Sequence, residues 1–377
     1  MNEDFLLKRL AERSDQAAFR QLRLPNDKID FSSNDYLGIV KRELLRETKL
    51  RDAESAKRWH GATGSRLLSG NYSYIEETED FIAGFHEAPR GLLYNSGYDA
   101  NLGLLSAVPQ RGDTIIYDQL CHASIRDGLR LSFAQSHSFI HNDISDLKEK
   151  LRRGSGTLFV VTESVFSMDG HLAPLKEIFT ICEEFNANLI VDEAHATGVV
   201  GERGEGLAQQ LGIHSKCFAR VHTFGKALGC HGAIVLGTDT LRNYLINFSR
   251  PFIYTTAIPS VNVNAARNSY EIFPSMRKER SQLADLVRIF QTELFTSGAG
   301  SEKIQVLNSP TPIQAVILPG NEHVKNLSNT LAEHGFDARP ILYPTVPKGK
   351  ERLRIVLHSF NTVDQLMNLI DVIKNSD

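Results

Sequence analysis

Between about residues 43 and 250, seven short apolar runs alternate with charged segments of helical period, and no other feature restricts the fold of this chain as much. The runs are RGLLYN, DTIIYD, HSFIH, TLFVVTES, ANLIVDEAH, ARVHTF and GAIVLG, with segments such as DISDLKEKLRR and PLKEIFTICEEFNA between several of them. Strands that are rich in Val, Ile and Leu almost without interruption are buried on both faces. The alternation therefore predicts an α/β fold, with a large, mostly parallel sheet and helices on both of its faces.

Near residues 251–259 the alternation stops, and a long helical stretch runs to about residue 295. IQAVILPG, a helix around HVKNLSNTLAEHG, RLRIVLH and a last helix, VDQLMNLIDVIKNS, then describe a second, smaller α/β layer. At the other end, the first 24 residues read as an amphipathic helix that stops before Pro25, and a short extended piece leads into FSSNDYLGI. The expected division is an N-terminal helix and arm over 1–42, a large domain over 43–258 and a small C-terminal α/β domain over 259–377. At 377 residues the chain exceeds one ordinary core. The absence of repeats and of a low-complexity linker suggests that a long helix, not a flexible tether, joins the two parts.

A formal net charge of -3 gives no reason to expect nucleic acid or an anionic membrane as partner. Cys121, Cys182, Cys217 and Cys230 are scattered, without the spacing of a zinc site or a disulfide framework, which fits a reducing compartment. Leu6, Leu7, Leu10 and Phe19 lie among charges, unlike the apolar core of a signal peptide. No apolar run approaches the ~18 residues of a membrane helix. The expectation is an unprocessed, soluble, cytoplasmic protein.

In an open α/β sheet ligands sit beyond the carboxyl ends of the strands, so polar residues that follow apolar runs carry the argument. Ser96-Gly97-Tyr98 follow one strand and open a helix, whose free N–H groups suit a phosphate; read alone, this is an ordinary turn. Glu163, Ser164 and Ser167 follow a second strand, before a turn at Asp169-Gly170. Asp192, Glu193 and His195 end a third, and Asp-x-x-His alone fits a metal pair, a catalytic couple or a cap. Thr223 and Lys226 follow a fourth.

A metal site would gain little from a neighbouring ammonium. Pyridoxal phosphate wants all of these groups together: a lysine for its aldehyde, a carboxylate for its pyridine nitrogen and donors for its phosphate. Phe224 and Ala227 beside Lys226 favour the neutral amine through desolvation. Asp192 has to stay ionised to keep the ring nitrogen protonated. Gly97, Tyr98, Thr223 and Ser167 are candidates to cap the phosphate or the ring oxygen.

The ordered set FSSNDYLG, LCHASIRDG, VTESVFSMDG, VDEAHATG, TFGKALG and TVPKGKERLRIVLH, spanning residues 31 to 358, resembles the α-oxoamine synthases. These are pyridoxal phosphate enzymes of fold type I. The resemblance implies that Lys226 forms the Schiff base, that Asp192 partners the pyridine nitrogen and that His195 holds the ring oxygen. It also implies that His122 stacks on the ring, that Gly97, Tyr98 and Thr223 bind phosphate and that Ser167 lies beside the ring. Asn34 and Arg354 match groups that hold the amino acid and its carboxylate, with Arg352 as the alternative because the two arginines share a strand face. Thr345 resembles a further substrate contact, and Arg20, or else Arg23, an arginine near the acyl chain. The chain lacks the extra strand that many relatives carry before FSSNDYLG.

As implied activity, an amino acid, L-alanine by preference, condenses with an acyl thioester, a pimeloyl group on coenzyme A or acyl-carrier protein, and CO2 is lost. Glycine with a short acyl group, serine with a long one, or a non-catalytic partner subunit are the alternatives. A homodimer with its active site at the interface is implied too, with Thr255 or Thr256 reaching the neighbour's phosphate. His60, His86, His137, His141 and His358 read as structural or surface residues. The glycines of ATGVVGERGEG fall in the wrong order for a dinucleotide loop, and Cys230 and His231 have no assigned role.

Overall fold

The computed structural model describes residues 2–22, 24, 27–46, 60–296 and 305–376. By its own contacts the chain forms two compact units, a larger one of Leu37–Phe166 and Leu172–Arg280 and a smaller one of Met1–Tyr36, Ser167–His171 and Ser281–Asp377. Of the boundaries, Arg280/Ser281 falls inside the helix Arg277–Gln291.

Strands are numbered in chain order. The first, β1 (Ile29–Asp30), belongs to the smaller unit. The larger unit holds β2 (Arg90–Tyr94), β3 (Thr114–Asp118), β4 (Gln135–Phe139), β5 (Leu158–Glu163), β6 (Asn188–Asp192), β7 (Ala219–Thr223) and β8 (Ala233–Gly237). They make one sheet in the order β2-β8-β7-β6-β5-β3-β4. Only β8 runs against its neighbours, β2 and β7; every other pair is parallel.

Alternation along the strands sends side chains to two separate cores. Phe159 and Val161 of β5 pack on one face with Ala100, Leu104, Ile125 and Leu129 from the helices Gly97–Ala107 and Ala123–Leu131. Val160 packs on the other with Leu147, Leu151, Leu175 and Ile178 from the helices Ile144–Arg152 and Leu175–Glu184. Each such burial contributes about 1.5–3 kcal/mol, which explains why these strands carry apolar residues on both faces. The carboxyl ends of β5, β6 and β7 consequently lie side by side, bearing Glu163, Asp192 and Thr223.

In the smaller unit β9 (Gln305–Val306), β10 (Ile313–Ile317), β12 (Arg339–Ile341) and β13 (Arg352–Val356) form an antiparallel sheet ordered β12-β13-β10-β9, while β11 (Phe336–Asp337) pairs with β1 in parallel. The helices Asn321–Glu333 and Val363–Lys374 accompany it.

Two sequence expectations are corrected. The N-terminal helix covers Asp4–Asp15, not 24 residues, and none of its side chains is buried. Ala17 turns to φ 49°, and the Ala18 amide donates back to Arg13 O at 2.8 Å, a six-to-one closure that ends the helix without glycine. The long stretch to residue 295 is also broken. Pro274, which lacks an amide hydrogen, lies in a short 3-10 turn, Phe273–Ser275, between the helices Ser260–Ile272 and Arg277–Gln291. Among the described residues no helix is long and apolar enough to cross a membrane.

Candidate active site

Asp192, the last residue of β6, is buried at 5% exposure. Its carboxylate accepts hydrogen bonds from Asn101 Nδ2 at 2.7 Å and from the Ala194 amide at 2.9 Å. Both donors are neutral, and among the described residues no Lys or Arg side chain forms an ion pair with it. A carboxylate buried this way is incomplete by itself: it wants a cation or a polarised N–H in front of it.

Asn101, from the middle of the helix Gly97–Ala107, had no role in the sequence reading. Its second Nδ2 hydrogen goes to Ser124 Oγ at 3.0 Å, and that hydroxyl lies 2.8 Å from His122 Nδ1. His122 caps the helix Ala123–Leu131, its Nδ1 accepting the Ser124 amide. The histidine is exposed, yet its surroundings lower its pKa: desolvation is the largest influence, Asp192 opposes it and Lys226 adds to it. Asp192 and His122 thus belong to one hydrogen-bonded chain.

Glu163, at the end of β5, is also buried, and it accepts the His122 backbone amide. Burial, and then the charge of Asp192, push its carboxyl up to about 8, against the attraction of Lys226. Sequence reading placed Glu163 at a strand end without a role; its pairing with Asp192 across adjacent strands is visible only in the fold.

Lys226 stands half-buried in the connection between β7 and β8, a hairpin closed by the Phe224 amide on Gly232 O and the Cys230 amide on Phe224 O. That closure gives Cys230 a backbone role. Beside it, Thr223 Oγ1 is buried with no hydrogen-bond partner among the described residues. Gly97 lies against the same threonine: a Cβ there would come within 2.4 Å of Thr223 Cγ2. Gly97 also begins its helix, capped by Ser96, so unpaired amides, an orphaned hydroxyl and space that only glycine leaves open occur together. His195 is buried three residues after Asp192. Tyr98 is exposed, donates to Asp127 and meets the His122 ring edge-on at 6.5 Å. Asn95 Nδ2 donates to Thr255 Oγ1 at 3.1 Å and to Thr256 O at 2.9 Å.

The smaller unit collects the other candidates. Arg354 Nη2 donates to Asn34 Oδ1 at 3.1 Å and Nε to Ser167 O at 2.7 Å, which joins three residues singled out separately in the sequence. Buried Tyr36 donates to the same Asn34 oxygen, its own phenol pushed up to about 12 by desolvation. Arg352, on the same strand, is bound to Asp169 in a buried ion pair. Its charge is matched, whereas the hydrogen-bond acceptors of Arg354, Ser167 O and Asn34 Oδ1, are neutral. Arg20 Nη2 donates to Thr345 Oγ1 at 3.1 Å. Arg23, the alternative to Arg20, lies outside the described residues.

The donor set of the larger unit fits pyridoxal phosphate. A lysine, a buried carboxylate held by two neutral donors, a buried hydroxyl without a partner among the described residues and a helix N-terminus answer its aldehyde, its ring nitrogen and its phosphate.

Comparison with known proteins agrees. The sequence matches the family of class I and II aminotransferases over residues 26–373. It is 41% identical over 394 residues to an 8-amino-7-oxononanoate synthase of Emericella nidulans, covering 98% of this chain and 94% of that one. Among solved structures it is similar to the serine palmitoyltransferase of S. paucimobilis bound to a PLP–myriocin adduct, at a TM-score of 0.88 and 25% identity over 99% of this chain and 97% of that one. It is also similar to the 8-amino-7-oxononanoate synthase of Francisella tularensis, at 0.79 and 29% over 93% and 98%.

Proposed function

This chain belongs to the class I and II aminotransferases and, within them, to the α-oxoamine synthases, and we propose that it condenses L-alanine with a pimeloyl thioester, releasing CO2 and free thiol, to give 8-amino-7-oxononanoate for biotin synthesis. The observation that carries the reading is Asp192, a buried carboxylate held by two neutral donors at a strand end.

Pyridoxal phosphate, when bound, supplies an aldehyde that condenses with amines and a protonated ring that accepts the electron pair left at the amino acid's Cα. The chain's own residues do the rest. Lys226 Nζ would hold the cofactor at rest and serve as the group that moves the proton at the amino acid's Cα; a positioned base of this kind contributes ~10²-fold to 10⁴-fold. Asp192, oriented by Asn101, would face the ring nitrogen and hold its proton. His195 would hold the ring oxygen, with Ser167 a further candidate to contact the ring. Gly97, Tyr98 and Thr223 receive the phosphate, joined by Thr255 or Thr256 of a second copy in a homodimer. Arg354 and Asn34 take the amino acid's carboxylate, because Arg352 is already committed to Asp169. Arg20 and Thr345 serve the acyl donor. A cytoplasmic location goes with this role.

A substrate panel tests the reading: alanine, glycine and serine, each with acetyl, pimeloyl and palmitoyl thioesters, followed by thiol release. Alanine with pimeloyl-coenzyme A or pimeloyl-acyl-carrier protein should give the highest kcat/KM. Preference for serine with palmitoyl, or glycine with acetyl, would move the chain to another branch of the family, and no turnover with any pair would make it a non-catalytic subunit.

A further inference from the structure

We infer that Asn101 and Ser124 are positioning residues that lock His122 in a single neutral tautomer, with its proton on Nε2, so that the ring serves the reaction as a hydrogen-bond donor and not as a base. The argument is a count of hydrogens. The Ser124 backbone amide can only donate, and it points at His122 Nδ1 from 3.2 Å, so that nitrogen has to present its lone pair. Ser124 Oγ lies 2.8 Å from the same nitrogen. This hydroxyl accepts from Asn101, and its single hydrogen is left for Nδ1.

The orientation of Asn101 is fixed in turn by Asp192. An amide oxygen 2.7 Å from a carboxylate oxygen would be repulsive, so the amino group faces Asp192. One NH2 group then sends one hydrogen to Asp192 and the other to Ser124. From Asn101 through the Ser124 hydroxyl the hydrogens then run toward Nδ1, where the Ser124 amide also donates. A proton on Nδ1, in the other tautomer or in the imidazolium, would face the fixed amide and lose that bond, and would force the Ser124 hydroxyl to turn from donor to acceptor. Glu163 secures the arrangement from below by accepting the His122 backbone amide.

Nε2–H remains as the one ring group available to an oxygen of the reacting molecules. The lowered pKa of His122 agrees with a ring that stays neutral. The groups that act on it are Asp192 at the end of β6, Lys226 in the β7–β8 connection, Asp127 on its own helix, Glu163 at its backbone and Tyr98 at its ring edge. Asn101 therefore serves two sites at once, the carboxylate of Asp192 and, through Ser124, the donor His122. The tautomer itself is independent of the proposed function; only its use toward a substrate oxygen rests on that reading.

The test is nitrogen-15 NMR of holoenzyme labelled at histidine, with the His122 signals assigned by their loss in His122→Asn. Expected is a pyridine-like Nδ1 and a pyrrole-like Nε2 at neutral pH, persisting below ~6.5, where an ordinary imidazole protonates. Ser124→Ala should raise the His122 titration midpoint and lower kcat/KM about tenfold, and Ser124→Thr should restore both. A pyrrole-like Nδ1 or an imidazolium in the wild type overturns the inference. So does a Ser124→Ala enzyme that loses activity with the His122 shifts and midpoint unchanged, since that outcome marks a structural role. The shifts are read without turnover, so a wrong substrate assignment would leave them as expected while the substrate panel failed.

Discussion

Glu163 and Asp192 occupy matched register positions at the carboxyl ends of adjacent parallel strands, so two buried carboxyl groups stand on one face of the sheet. Two like charges in such a place repel strongly, because neither burial nor water screens them. Glu163 is the group that yields: burial first, and Asp192 second, push it up to about 8. It keeps its proton at neutral pH.

This proton has a consequence for stability. The folded pKa of Glu163 lies above its ordinary 4.5, so the folded protein holds a proton that the unfolded chain releases. The stabilisation from this group is complete below about 4.5 and is lost as pH rises to about 8. In Glu163→Gln the group cannot ionise. Thermal unfolding of the cofactor-free protein across this range should show a shallower loss of stability in the variant, and equal slopes would mean that Glu163 is already ionised in the wild type.

Arg352 and Arg354 should separate stability from substrate binding. Arg352→Gln leaves Asp169 as a buried, unpaired carboxylate, for which about 3–5 kcal/mol of destabilisation is expected in denaturant unfolding. Arg354→Gln removes no ion pair among the described residues, so its expected effect is a KM for the amino acid raised at least tenfold, with a much smaller change in unfolding. A KM effect in Arg352→Gln alone would reverse the assignment.

How much of this was legible in the sequence follows from the range of the contacts. The parallel sheet was, because burial on both faces writes itself into every strand as an unbroken apolar run. Strand-end residues such as Asp192 and Thr223 were too, since topology puts them at the ligand edge. Asn101 was not: it sits in mid-helix, and its partner lies 91 residues away. The preference for Arg354 over Arg352 was stated from the sequence, but a physical reason for it, the pairing of Arg352 with Asp169, 183 positions away, was not legible there. The N-terminal helix was overextended for the opposite reason, its periodicity being tied to no core.

Thr223 predicts a trade between stability and cofactor affinity. A buried hydroxyl that finds no partner among the described residues costs about 1–3 kcal/mol, so Thr223→Val should raise the melting temperature of the cofactor-free protein. The same change removes a phosphate ligand and should weaken pyridoxal phosphate binding, read by dialysis against increasing cofactor. Gly97→Ala should also weaken it, since its Cβ would meet Thr223 Cγ2 at 2.4 Å, but without the gain in stability. A Thr223→Val protein that binds cofactor normally would remove Thr223 from the phosphate site.

Lys226 and Asp192 are distinguished by the exchange of the alanine Cα proton in D2O, which needs no acyl donor. Lys226→Ala should lose the covalent link to the cofactor, seen as the loss of its visible absorbance, and slow exchange by at least the ~10²-fold to 10⁴-fold that a positioned base supplies. Asp192→Asn should keep the covalent link, because the lysine is intact, and still exchange slowly, because a neutral amide does not hold the proton on the ring nitrogen. The two variants thus share the slow exchange and differ in the absorbance. Unchanged exchange in Asp192→Asn would detach Asp192 from the ring, and visible absorbance with normal turnover in Lys226→Ala would transfer the base to another residue.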